Sequence, residues 1–168
     1  MLDNARLLRD PGHFLALGAG SGLVPRGPGT AGTLVGVLVY WALSGVDRTV
    51  YIGIVAALFA VGIPLCRRTA EALGKHDHPA VVWDEIVGFL ITMAFTTPSI
   101  RGCVIAFVAF RIFDIFKPWP INVLDREVGG GLGIMLDDLL AAILAGLTLV
   151  FIEYLSYSYA YNIEPTLE

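Results

Sequence analysis

Five apolar stretches, at residues 30–43, 50–66, 80–97, 99–116 and 133–155, take up most of this chain and limit its fold more than any other feature. In hydrocarbon each backbone N–H and C=O must be satisfied within the protein, and a single apolar segment does this as a helix. A bilayer core needs about 20 helical residues, or about 17 at the short end. Only the first stretch falls clearly short; it begins earlier, in the glycine-rich segment, or enters at a tilt. The third and fourth reach full length only when their charged ends count as helix. Composition agrees. The chain is 56% hydrophobic and 15% charged with a mean hydropathy of +0.73, whereas soluble domains run about 45–50% apolar and about 25% charged. The expectation is one domain over residues 1–168, an all-α, polytopic helical membrane protein with about five membrane helices.

The charged residues orient it. Arg6, Arg9, Arg26, Arg67, Arg68, Lys75, Arg111, Lys117 and Arg126 fall on one side of this arrangement, and only Arg48 and Arg101 on the other. That bias puts the N-terminus in the cytoplasm. The N-terminal MLDNARLLRDPGHF is charged and leads into an apolar stretch broken by glycines, unlike a signal peptide. A net charge of −4 excludes a nucleic-acid partner, since no basic stripe is present to neutralise phosphates. Cys66 and Cys103 lie on different stretches without a CxxC and read as buried or free thiols.

Within VVWDEIVGFLITMAF (residues 81–95) two adjacent carboxylates, Asp84 and Glu85, stand at the mouth of an apolar run. A charge there is costly unless it is paired, metal-bound or at the wet edge. With the alternation above, the next stretch returns Arg111 and Asp114 to the same cytoplasmic level, and the last begins there with Asp137 and Asp138. Five carboxylates in one layer repel one another unless a cation sits among them, and a divalent metal answers that need economically.

Each motif also has a plainer reading. In FRIFDIFKPWPI (110–121), Arg111, Asp114 and Lys117 recur every three residues before Pro118 stops the helix. This is either a snorkelling belt anchored by Trp119, or a phosphate site with Arg111 or Lys117 on anionic oxygens and Asp114 on the metal. In GGGLGIMLDDLL (129–140), adjacent Asp137 and Asp138 diverge by about 100°, so one faces the bundle and the other a different neighbour. GPGTAG (27–32) is formally GxGxxG, but no strand precedes it and proline fills its second position, so it is not a dinucleotide loop. Thr30 there is either a cap of the first helix, whose free N–H groups bind a phosphate, or part of a plain turn into the membrane. His76 and His78 of GKHDHPAVVWDE form either a polar loop or a metal or proton-transfer element.

Taken together, GPGTAGTL, HDH…VVWDEIVG, FRIFDIFKPWPI and LDREVGGGLGIMLDD closely resemble the phosphatidylglycerophosphatase A family of bacteria, in order and spacing, from about Leu15 to Leu147. The resemblance implies an inner-membrane enzyme that uses Mg²⁺ to hydrolyse phosphatidylglycerophosphate to phosphatidylglycerol and phosphate at the cytoplasmic face. Carried onto these residues, the metal candidates are Asp84, Glu85, Asp114, Asp137 and Asp138. The phosphate-binding candidates are Arg111, Lys117 and Thr30, and the catalytic candidates are Asp84, Asp114, Asp137, His76 and His78. The nucleophile is water, oriented by a carboxylate or a histidine, or an aspartate that becomes phosphorylated. The rival readings are an ion-coupled carrier, which calls for acids at the midplane and an internal repeat, and a non-catalytic scaffold whose acids merely cap helices.

Overall fold

The computed structural model describes residues 7–75 and 77–163, with the side chains of residues 125 and 160–163 outside that description. Among the described residues every regular element is helical. In order they are α1 (Pro11–Ala16), a 3-10 segment (Gly18–Leu23), α2 (Pro28–Leu43), α3 (Arg48–Leu73), α4 (Trp83–Met93), α5 (Ile100–Phe116), α6 (Ile121–Glu127) and α7 (Gly130–Ile163). Two of them, α3 and α7 over Gly130–Tyr159, are long and apolar enough to cross a bilayer, and α2 is a shorter apolar helix.

The helix ends follow from local chemistry. Asp47 caps α3 by accepting from the N–H groups of Thr49 and Val50, and Gly74 closes it with φ of +74°. Ser99 caps α5 by accepting from Gly102 N–H at 3.0 Å. At its other end Lys117 adopts φ of +41°, and its N–H donates to the Phe113 carbonyl. Pro118 follows, so the chain turns away there.

α4 is the axis of the molecule and packs against α2, α3, α5 and α7. Its side chains are buried on nearly every side, from Trp83 and Val87 to Phe89, Leu90 and Met93. A helix apolar all round belongs in such a place. α2 approaches it closely through glycine: a Cβ at Gly32 would lie 2.6 Å from that of Val82. Phe89 and Phe110 are wholly buried in the central cluster with Leu90, Met93, Ile121 and Leu149.

The structure departs from the sequence expectation in two places. The third apolar stretch, expected over 80–97, is helical only over Trp83–Met93. Eleven residues rise about 16 Å, roughly half of a hydrocarbon core. Its apolar character reflects enclosure by four neighbours. The segment before residue 30 folds back on the end of α3. Asp10 caps α1 and accepts from Arg68 at 2.7 Å, His13 Nδ1 and Thr69 Oγ1 lie 2.9 Å apart in the interior, and Val82 N–H donates to the Ala16 carbonyl at 2.9 Å. This clamp fixes the strand of chain that enters α4, and so fixes where Asp84 and Glu85 stand.

Candidate active site

Four helix ends meet at one cavity of about 280 Å³. The first turn of α4 supplies Asp84 and Glu85, where a helix N-terminus favours negative charge. The last turns of α5 supply Arg111 and Asp114, and Lys117 is the C-cap that follows them. α7 supplies Asp137 and Asp138, and the start of α2 supplies Gly27, Pro28 and Gly29. All five carboxylates and both bases singled out in the sequence therefore line a single cavity.

Their pairing sorts them. Arg111 lies 3.7 Å from Glu85 Oε1 and is ion-paired to Asp114, three residues on along the same helix. Lys117 Nζ is paired with Asp137 Oδ2. These contacts set two bases against three acids, Glu85, Asp114 and Asp137. Ligand oxygens of Asp84, Glu85 and Asp138 gather within 4.8 Å of one another. Asp138 is 3% exposed and Asp84 9%. One oxygen on each of the three, Asp84 Oδ1, Glu85 Oε2 and Asp138 Oδ2, is buried without a hydrogen-bond partner, as is Arg111 Nε. Buried carboxylate oxygens left in that state cost several kcal/mol unless something satisfies them. Hard oxygen donors of this number and spacing suit a divalent cation such as Mg²⁺. The group therefore can hold a metal.

The geometry separates Asp138 from Asp137. Asp138 belongs to the metal-competent group, and Asp137 faces Lys117. Thr30 does not cap α2: the helix begins at Pro28, Gly27 is the N-cap with φ of +65°, and Thr30 is the third helical residue. Nor does Thr30 line the cavity. His78 is also absent from the lining, and its Nδ1 accepts from Ala80 N–H at 3.1 Å. His76 lies outside the described residues. Sequence reasoning gave no role to Asp77, Pro79 or Val81, which also line the cavity, and reached Gly29 only through the free N–H groups expected at the start of the first helix. Only Asp77 carries a charge that could have drawn notice.

Comparison with known proteins gives a consistent result. The profile of the family described as phosphatidylglycerophosphatase A matches residues 14–153. The phosphatidylglycerophosphatase A of Escherichia coli is 42% identical over 88% of this chain and 86% of its own length. That of Haemophilus influenzae is 43% identical over 88% of this chain and 91% of its own. A Bacteroides thetaiotaomicron protein with a provisional phosphatidylinositol-3-phosphatase name is 34% identical over 77% of this chain and 86% of its own. No solved structure matches the chain.

Proposed function

The chain belongs to the phosphatidylglycerophosphatase A family, and on that premise we propose that it hydrolyses phosphatidylglycerophosphate to phosphatidylglycerol and phosphate. The reaction depends on Mg²⁺ and serves phospholipid synthesis at the cytoplasmic face of a bacterial inner membrane. Residues 1–168 act as one multi-pass domain of about five membrane helices, the third of them short and enclosed by its neighbours, with the N-terminus in the cytoplasm. The observation that carries this reading is the set of buried, unpartnered oxygens on Asp84, Glu85 and Asp138 in a cavity that also holds Arg111 and Lys117.

In this scheme Asp84, Glu85 and Asp138 hold the cation. A Mg²⁺ ion held by these three carboxylates would supply positive charge for phosphoryl oxygens and for the charge of the transition state. Arg111, steadied by Glu85 and Asp114, and Lys117, steadied by Asp137, clamp the remaining oxygens. The P–O bond to the glycerol oxygen breaks as a new P–O bond forms, and a proton reaches the departing alkoxide. The attacking oxygen comes from water oriented by a lining carboxylate, with His76 or His78 passing the proton on, or from a carboxylate that is phosphorylated and then hydrolysed. Acid quenching after a single turnover of ³²P-labelled substrate separates the two routes. Protein-bound label marks the covalent one.

The test of the function is phosphate release from phosphatidylglycerophosphate by the purified protein in detergent, first with Mg²⁺ and then with excess EDTA. Release that stops with EDTA supports the proposal. No release from folded protein overturns it.

A further inference from the structure

The cavity contains two kinds of unmet demand. On one wall are the carboxylate oxygens of Asp84 and Asp138, buried and without donors. On another is the first turn of α2, where Gly27 offers no side-chain cap and Pro28 has no N–H. The first helical bond of that turn is Ala31 N–H to the Gly27 carbonyl at 3.1 Å. Among the described residues the N–H groups of Gly29 and Thr30 reach no acceptor. Glu85 does not take them, although it is close: a Cβ at Gly29 would lie 2.2 Å from Glu85 Oε1 and 2.9 Å from an Arg111 guanidinium nitrogen. Only glycine lets the backbone approach the ion pair this nearly.

A cation alone would satisfy the carboxylates and leave the amides empty. An anion alone would meet the amides and be repelled by the acids. A phosphoryl group carried on a divalent cation satisfies both walls at once, and the helix N-terminus favours its negative charge. We propose that the first turn of α2 is the main-chain seat of the phosphoryl group, through the N–H group of Gly29, whose lack of a side chain permits the close approach. The proposal deepens the phosphatase reading above and rests on it for the identity of the substrate.

The experiment uses the full chain in detergent with Mn²⁺, and inorganic phosphate as the probe. Gly27 is replaced by Asp and, separately, by Asn. Both residues tolerate its left-handed conformation, and a Cβ there meets nothing nearer than Thr30 Oγ1 at 3.6 Å. The pair therefore differs by one charge beside the seat. Phosphate affinity, measured by calorimetry, is expected to be about tenfold weaker in Gly27→Asp than in Gly27→Asn. Mn²⁺ affinity in Gly27→Asp should be equal or tighter, since the added carboxylate attracts cations. Equal phosphate affinity in the two variants would overturn the seat, as would a parallel loss of Mn²⁺ and phosphate binding. If either variant fails to fold, the amide resonances of ¹⁵N-glycine-labelled native protein decide instead. Gly29 must shift on addition of phosphate, and an unmoved Gly29 resonance removes the seat. Failure of the seat with hydrolysis of phosphatidylglycerophosphate intact leaves the function standing. A charge-sensitive seat in a protein that does not hydrolyse that lipid keeps the seat and removes the substrate.

Discussion

The two ends of the helix bundle share α2 and α4 and differ in how their polar groups are met. At the far end, a cavity of about 140 Å³ is lined by Tyr40, Ser44, Arg48, Tyr51, Thr96 and other residues. There Tyr51 donates to the Leu90 carbonyl at 2.7 Å, Arg48 to the Ala94 carbonyl at 3.1 Å, and Thr96 to Glu153. Among the described residues, no buried side-chain oxygen or nitrogen of that end lacks a partner. At the acidic end, three carboxylates and the first turn of α2 are left unmet. Satisfied polar groups close a fold, and unsatisfied ones wait for a ligand. The cavity volumes alone would not have made that distinction.

The contrast can be broken by experiment, beginning where the effect is largest. Asp138→Asn removes a charge from the unmet group, and turnover is expected to fall by about 10²-fold or more, as with other losses of charge stabilisation at a reacting centre. Mn²⁺ binding, followed by electron paramagnetic resonance, should weaken with it. Normal Mn²⁺ affinity in this variant would take Asp138 out of the metal group. Gly29→Ala should lose turnover to a similar degree, because its Cβ displaces Glu85 and Arg111. Full activity there would show that the approach of α2 to the ion pair is unimportant.

Asp137→Asn is a milder case if Asp137 acts through Lys117. Losing a partner that orients a functional group costs about 10–100-fold, and the cost should fall mainly on KM, with Mn²⁺ affinity retained. A collapse of Mn²⁺ binding would instead return Asp137 to the metal. At the satisfied end, Tyr51→Phe leaves the Leu90 carbonyl without its donor and should lower stability by about 1 kcal/mol, with turnover within about twofold of the native value on the same scale. A large loss of turnover would mean that the far end takes part in the chemistry.

The smallest effect is expected at the clamp. The His13 N–H, assisted by Arg68 and the Gly12 N–H, holds the Asp10 carboxyl below its ordinary pKa. A carboxyl depressed in the folded state contributes stability above its unfolded value, about pH 4, and that contribution fades as pH falls through the folded value. The melting temperature of Asp10→Asn should therefore decline less than that of the native protein as pH is lowered through this range. Parallel decline in both would mean the contact is screened by solvent.

Much of the acidic end was legible before any coordinates. Asp84, Glu85, Arg111, Asp114, Lys117, Asp137 and Asp138 stand out because charge amid apolar residues is costly, and the alternation of apolar segments is enough to bring them to one level. The division of labour among them was not legible. Asp137 and Asp138 are neighbours in sequence and identical in chemistry, and only the rotation of α7 against α4 and α5 gives one to Lys117 and the other to Asp84 and Glu85.

By itself, then, the sequence determined an all-helical chain, apolar along its helices, with a layer of carboxylates and bases. Hydropathy and charge are properties of single residues and their spacing, and they can be read in one dimension. Tertiary structure decided that α4 is a short enclosed axis, that the N-terminal segment clamps the entry to it, and that the backbone of Gly29 lies against Glu85 and Arg111. Each of these is a contact between residues distant in sequence. The last is made by a residue with no side chain to announce it, and it arises only when α2 docks on α4.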